Sequence, residues 1–205
     1  MVRVKICGIT SRADAEAAIA AGADFLGFNF YPDSPRYVEP SLVRVILADL
    51  SRPVGTVGVF VNADADRVRA TCETSGVGMV QLHGDETPEF CAAMDRPVLK
   101  AVRIGGPEDL SGIEEYKVWA MLADSRTPGF GGSGVKPDWA LAADAARRTN
   151  RLFLAGGLSP ENVGEAIRAV QPWAVDVSSG IEKEPGIKDH EKMRRFIQAV
   201  KNASE

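Results

Sequence analysis

The sequence predicts an α/β protein with a (β/α)8 barrel fold, the TIM-barrel architecture, on three observations. Short apolar runs of β-forming residues alternate with segments of helical apolar spacing along the whole chain. This alternation favours parallel strands, because each helical crossover returns the chain to the same end of the sheet. Eight strand-like runs can be counted, and eight such units close naturally into a barrel. In 205 residues little room remains for insertions, so residues 1–205 are predicted to form a single barrel domain.

Each predicted strand is a short run of apolar, often β-branched residues. In chain order the predicted strands are Val2–Cys7, Asp24–Phe30, Val54–Val61, Met79–Leu82, Val98–Ile104, Val118–Ala123, Leu152–Ala155 and Ala174–Val177. The alternative architecture, an open doubly wound sheet, usually carries a GxGxxG turn after its first strand. The segment Cys7-Gly8-Ile9-Thr10 is not such a turn, which favours the barrel.

The helices between the strands have recognisable ends. Ser11 can cap the first helix and Gly22 can end it. Other helices are predicted to begin with proline, which suits the first helical position because its missing N–H has no partner there. These prolines are Pro40, Pro88 and Pro160. The segment Pro107–Glu115 is predicted to be a short helix at best, since glycines precede and interrupt it.

Composition excludes several classes of function. Lys and Arg number 24 and Asp and Glu number 28, so the net charge of −4 offers no basic surplus for binding nucleic acid. Three cysteines without a CxxC pair and two histidines make a zinc site very hard to assemble. The N-terminus opens directly as a strand, without a signal segment, and no apolar run is long enough to cross a membrane. We expect a cytoplasmic protein with reduced thiols.

The first strand places Lys5 and Cys7 on its inward-facing side, at the strand end where barrel active sites lie. An inward lysine needs a partner, and Asp176 on the neighbouring last strand is the candidate counter-ion. A nearby ammonium group would favour the thiolate form of Cys7. A free cysteine is more often a small buried hydrophobe, but the position of Cys7 at a strand end favours a function.

Two loops late in the chain are candidates for binding phosphate. Gly156 and Gly157 follow the seventh strand, and Ser178, Ser179 and Gly180 follow the eighth. Barrel enzymes often bind phosphate with these two loops, because glycines let main-chain N–H groups approach the anion. A single Gly-Gly pair can equally make only a tight turn, so the two loops together carry the prediction.

Three other segments carry candidate site residues at the predicted mouth of the barrel, which is the end formed by the C-terminal ends of the strands. Asp124 follows the sixth strand and is either an exposed strand-end carboxylate or a general acid. The glycine-rich loop Ser125–Pro137, which includes Gly132 and Gly134, could close over a substrate and raise the pKa of that acid, or it could be only a connection. Arg36 lies in a loop stiffened by prolines and could form a fork with a carboxylate, although most single arginines are simply solvated. For His83, a site role and a purely structural role are equally open.

Short motifs spread over the whole chain resemble those of one enzyme family. They are Lys5-Ile6-Cys7-Gly8-Ile9-Thr10, Ser34-Pro35-Arg36, Gly58-Val59-Phe60-Val61-Asn62, Gln81-Leu82-His83-Gly84, Gly131-Gly132-Ser133-Gly134, Ala155-Gly156-Gly157-Leu158 and Asp176-Val177-Ser178-Ser179-Gly180. Together, and in this order, they resemble the phosphoribosylanthranilate isomerase family.

The resemblance implies a (β/α)8-barrel isomerase of tryptophan biosynthesis that uses no cofactor and no metal. It implies an Amadori rearrangement of N-(5'-phosphoribosyl)anthranilate to 1-(2-carboxyphenylamino)-1-deoxyribulose 5-phosphate. Cys7 matches the family's general base, Asp124 its general acid and Arg36 the residue that meets the anthranilate carboxylate. The late Gly and Ser loops match its phosphate site. The implied partner is a small phosphorylated substrate, and we expect a monomer rather than a homodimer.

Two alternative functions remain open on the sequence. Another phosphosugar-binding barrel enzyme would use the same phosphate loops. The related isomerase of histidine biosynthesis, however, would carry Asp where Cys7 stands, and indoleglycerol phosphate synthase would rely on catalytic lysines. A catalytically silent barrel that binds a phosphorylated ligand is the other alternative, and the presence of both Cys7 and Asp124 argues against it.

Overall fold

The computed structural model describes residues 1–125 and 139–204. Within these ranges, eight strands pair in chain order, all parallel, and the last pairs with the first, which closes a barrel. The strands are β1 Arg3–Cys7, β2 Phe25–Asn29, β3 Gly55–Phe60, β4 Met79–Leu82, β5 Val98–Ile104, β6 Ala120–Ser125, β7 Leu152–Leu154 and β8 Ala174–Val177. The predicted (β/α)8 barrel is confirmed, and each predicted strand overlaps an observed one.

Helices connect most successive strands of the barrel and cover its outside. They are α1 Arg12–Ala21, α2 Pro40–Ala48, α3 Ala65–Ser75, α4 Pro88–Ala92, α5 Trp139–Arg148, α6 Val163–Val170 and α7 His190–Ala203. The Ser11 hydroxyl accepts a hydrogen bond from the main-chain N–H of Asp14 at 3.1 Å, and Gly22 ends α1 in the left-handed conformation. Both predicted ends of the first helix are therefore confirmed, as are the helix starts at Pro40 and Pro88.

Two of the connections differ from regular helices. Pro160 was expected to begin a helix, and this prediction is wrong, because α6 begins at Val163. The Asn162 side chain accepts from the Ser159 N–H at 2.8 Å and donates to the Gly157 oxygen at 2.9 Å, so it holds a turn ahead of the helix. Between β5 and β6 the weak segment forms two short 3-10 turns, which agrees with a short helix at best.

The barrel interior is packed with apolar side chains near the N-terminal ends of the strands. Phe25, Trp119, Phe153 and Trp173 form a cluster whose ring centroids lie 5.3–6.1 Å apart. Phe153 is fully buried and the other three rings are partly buried; complete burial of a large apolar side chain contributes about 1.5–3 kcal/mol to folding. Because this end is filled, polar side chains gather at the opposite end of the barrel.

A small hairpin follows β8 and was not predicted. A 3-10 turn leads into the antiparallel strands β9 Glu182–Glu184 and β10 Ile187–Lys188. The Thr10 hydroxyl, in the loop after β1, donates to the Gly186 main-chain oxygen at 2.6 Å. The hairpin is thus fastened beside the end of β1, at the mouth of the barrel. No helix in the described part of the chain is both long and apolar enough to cross a membrane.

Candidate active site

Lys5 and Asp176 form a buried ion pair next to Cys7 at the barrel mouth. Lys5 Nζ donates to Asp176 Oδ1 at 2.9 Å, with side-chain exposures of 0% and 9%. The two residues are in register on the neighbouring strands β1 and β8, so strand pairing itself brings them together. The predicted counter-ion of Lys5 is confirmed.

The surroundings of Cys7 act on its thiol in opposite directions. Burial raises the pKa of the Cys7 thiol above its ordinary value, while the ammonium groups of Lys5 and Lys188 pull it down. Burial would lower the pKa of Lys5, but Asp176 and Cys7 together raise it above its ordinary value. The ammonium group of Lys5 is therefore placed to stabilise the thiolate form of Cys7.

The other two cysteines provide an internal comparison. Cys72 and Cys91 are buried on α3 and α4. Burial raises the pKa of each of these thiols to about 11. Cys7 differs because it is partly exposed at the mouth, which makes it the accessible cysteine for a chemical probe.

Replacing Lys5 with methionine is expected to raise the pH at which Cys7 is alkylated, because the cation that stabilises its thiolate is lost. The double variant Lys5→Met/Asp176→Asn also removes the unpaired carboxylate, so its midpoint should fall between those of the intact protein and the single variant. Iodoacetamide labelling across pH, with the modified peptide identified by mass spectrometry, measures this order. An unchanged midpoint of Cys7 alkylation in Lys5→Met would contradict the assignment of Lys5 as the cation that stabilises the thiolate.

Asp124 contacts His83 across the mouth of the barrel. Asp124 lies near the end of β6, and its Oδ2 is 3.2 Å from Nε2 of His83, which follows β4. The other ring nitrogen of His83 is 2.8 Å from Nε2 of Gln81. An amide nitrogen only donates, so in this arrangement a neutral imidazole accepts at Nδ1 and donates from Nε2 to Asp124. The Asp124 side chain is 28% exposed and can be reached from the mouth.

Arg36 is held by a carboxylate of the chain itself. Its Nε and Nη2 donate to the two oxygens of Glu182 at 2.8 and 2.6 Å. Its aliphatic stem crosses the end of β1, since a Cβ on Gly8 would lie 2.6 Å from Cδ of Arg36 and 3.0 Å from Oγ of Ser178. Arg36 is therefore fixed close to both Cys7 and the loop after β8.

The two predicted phosphate loops contact each other. Gly156 and Gly157 both have positive φ angles, 87° and 61°, and such glycine turns allow main-chain N–H groups to face an anion. Gly180 packs so closely that a Cβ would lie 1.9 Å from the main-chain oxygen of Leu158, so only glycine fits there. The loops after β7 and β8 therefore form one continuous surface at the mouth.

Part of the predicted site lies outside the described residues. The loop Ser125–Pro137, with Gly132 and Gly134, falls there except for its first residue, which ends β6. In the described ranges, no group of three or more His, Cys, Asp or Glu side chains is placed to hold a metal ion.

Sequence reasoning missed several residues that hold the site together. Glu182 and Lys188 flank a Pro-Gly turn, a signal that predicts a hairpin placing both on facing strands. Lys100 and Glu86 form a second buried ion pair, 2.8 Å apart, beneath the loop that carries His83. No sequence signal pairs these two, because their contact depends on how β4 and β5 align.

Comparison with known proteins identifies the family of this chain. Residues 4–199 match the model of the family described as N-(5'-phosphoribosyl)anthranilate (PRA) isomerase. The chain is 49% identical over 205 residues to the N-(5'-phosphoribosyl)anthranilate isomerase of Geobacter sp. (strain M21), with both chains covered completely.

Solved structures give the same result. The crystal structure of phosphoribosyl anthranilate isomerase from Thermotoga maritima is 44% identical, covers 98% of this chain and 100% of its own, and has a TM-score of 0.94. A structure of such an isomerase in complex with reduced 1-(o-carboxyphenylamino)-1-deoxyribulose 5-phosphate is 41% identical, with a TM-score of 0.89 and the same coverage. The protein therefore belongs to the N-(5'-phosphoribosyl)anthranilate isomerase family.

Proposed function

We propose that this enzyme catalyses the Amadori rearrangement of N-(5'-phosphoribosyl)anthranilate to 1-(2-carboxyphenylamino)-1-deoxyribulose 5-phosphate, a step of tryptophan biosynthesis. The observation that carries the proposal is the placement of two proton-transfer groups at one barrel mouth. Cys7 ends β1 and Asp124 lies near the end of β6, with two strands, β7 and β8, between them around the barrel. An acid and a base separated in this way can act on two atoms of one sugar.

The reaction follows from these two groups. Asp124 gives a proton to the furanose ring oxygen, the bond from that oxygen to C1 breaks, and the anthranilate nitrogen supplies electrons to form an iminium ion. The Cys7 thiolate then removes the proton from C2, which yields an enolamine. The enolamine then tautomerises: a proton is added at C1 and the C2 hydroxyl group loses its proton, which gives the ketone product. Lys5 stabilises the thiolate that this step requires, and His83 orients Asp124.

Two anionic ends of the substrate would fix it between these groups. Arg36 takes the anthranilate carboxylate, and the loops with Gly156, Gly157, Ser178, Ser179 and Gly180 take the phosphate. The proposed roles use no cofactor or metal, because proton transfers alone account for the bonds made and broken in the reaction. All of the residues belong to one chain, so we propose residues 1–205 as one domain that acts as a monomer.

The fluorescence of the substrate provides the test of this function. N-(5'-phosphoribosyl)anthranilate is generated in situ, the protein is added, and the loss of anthranilate-type fluorescence is followed. Rapid loss that scales with the protein concentration is expected. An unchanged signal would contradict the proposed function and favour another phosphosugar substrate for the same loops.

Replacing Arg36 with methionine is expected to weaken binding of the carboxylate-bearing substrate by about 10–100-fold, the usual cost of losing a charge-assisted pair. A substrate analogue without the carboxylate should lose little. Steady-state KM values for both compounds measure the difference. Equal losses for the two compounds would show that Arg36 does not bind the carboxylate.

A further inference from the structure

Glu182 uses one complete edge of the Arg36 guanidinium. The bonds to Nε and Nη2 form a two-point fork, and the side chains of Arg36 and Glu182 are 19% and 5% exposed. Partial burial strengthens such a charge-assisted fork relative to one on the surface. Glu182 lowers the freedom of Arg36 to rotate, so the guanidinium is held in one orientation.

The N–H donors of Arg36 that do not bind Glu182 form a second pair, which can bind another carboxylate. A guanidinium carries five N–H donors, and Glu182 accepts two of them, from Nε and Nη2. The end formed by Nη1 and the second hydrogen of Nη2 remains. That end is the geometry that binds one planar carboxylate through two bonds.

Glu182 also forms an ion pair with Lys188. Lys188 Nζ, with a side-chain exposure of 0%, donates to Glu182 Oε1 at 2.7 Å. It also lies 3.4 Å from the main-chain oxygen and from Oγ of Ser178, in the loop after β8. Burial lowers the pKa of Lys188 and Glu182 opposes this. Arg36 is thereby linked through Glu182 and Lys188 to the proposed phosphate loop.

The charges of the cluster formed by Arg36, Glu182 and Lys188 match those of a bound monoanion. Arg36 and Lys188 are positive and Glu182 is negative, and the two cations lower the pKa of the Glu182 carboxyl so that it stays ionised. The cluster therefore carries a single net positive charge. A second anion as highly charged as phosphate would meet the repulsion of Glu182 at close range, whereas a carboxylate neutralises the cluster.

We propose that Glu182 is a positioning residue that sets specificity for a carboxylate. It aims the free end of Arg36 at the substrate and, with Lys188, fixes the spacing between that end and the phosphate loop. The substrate class that fits is a planar carboxylate at one end and a phosphate at the other. The inference rests on the proposed function and adds to it a residue that acts only through Arg36.

A double-mutant cycle tests this inference. Turnover is measured for the intact protein, Glu182→Gln, Arg36→Met and the combined variant. Glu182→Gln is expected to raise KM for the carboxylate-bearing substrate by about tenfold or more, with kcat changed far less. In the Arg36→Met background it should have no further effect, since the residue through which it acts is gone. The exposed Glu184 of the same hairpin supplies the control Glu184→Gln, which should leave KM unchanged.

A second variant separates positioning from folding. Glu182→Gln leaves the buried Lys188 without its counter-charge, which destabilises the fold. The pair Glu182→Gln/Lys188→Met removes both charges and should fold, as checked by thermal unfolding, while KM stays raised. Losses that add in the cycle, or an unchanged KM in these variants, would overturn the inference alone. No turnover by the intact protein would overturn the proposed function and this inference with it.

Discussion

Replacing Cys7 with alanine is expected to lower kcat by about 10²–10⁴-fold, the range that a positioned general base contributes. Alanine removes the sulfur that takes the C2 proton and introduces no new charge. Cys7 lies at a strand end and is partly exposed, so its truncation leaves the packed parts of the barrel unchanged. Lys5 keeps its bond to Asp176 in the variant, which preserves the buried ion pair.

The matched control for this variant is a cysteine outside the mouth. Cys91 is buried on α4, and Cys91→Ala is expected to affect stability but not kcat of the folded protein. Steady-state turnover and thermal unfolding are measured on both variants. A Cys7→Ala protein within a few-fold of the intact kcat would remove Cys7 from the mechanism.

Replacing Asp124 with asparagine is expected to cause a loss of similar size, about 10²–10⁴-fold in kcat. Asparagine has nearly the same shape and can still bond to His83, so the geometry of the mouth is retained. It cannot give up a proton to the ring oxygen of the sugar, and ring opening is therefore slowed. Binding of the reduced product analogue, reduced 1-(o-carboxyphenylamino)-1-deoxyribulose 5-phosphate, should change little. Arg36 and the phosphate loops, which are proposed to bind the two anionic ends of the substrate, are unaltered.

An exposed aspartate provides the control for the acid. The Asp66 side chain on α3 is 93% exposed, and Asp66→Asn should leave turnover unchanged. The kcat values and the dissociation constants of the reduced product analogue are compared for both variants. If Asp124→Asn turned over normally, the proton would have to come from another group, and the assignment of Asp124 would fail.

Local sequence signals were sufficient for the barrel and for much of its mouth. The period of the apolar residues and the ends of α1 depend on neighbours in the sequence, so Ser11 and Gly22 could be assigned directly. The Lys5–Asp176 pair could be predicted because parallel strands place their ends at one edge and a buried ammonium needs a carboxylate. The late glycines could be placed because barrel loops converge at the mouth.

The features of the fold and the site that could not be predicted from the sequence depend on contacts between distant segments or on particular side-chain hydrogen bonds. Glu182 meets Arg36 across 146 residues, and nothing local to either residue specifies that contact. The start of α6 was misplaced because proline is compatible with both a turn and a first helical position. The side chain of Asn162 decides between them by bonding back to Ser159 and Gly157.

The most direct test of the account compares fluorescence loss at saturating substrate for the intact protein and for Cys7→Ala, each first shown to be folded and to bind the reduced product analogue. The account predicts rapid loss with the intact protein and a rate lower by about 10²–10⁴-fold in the variant, at comparable affinity for the analogue. Similar rates in the two proteins would contradict the central claim that the Cys7 sulfur removes the proton.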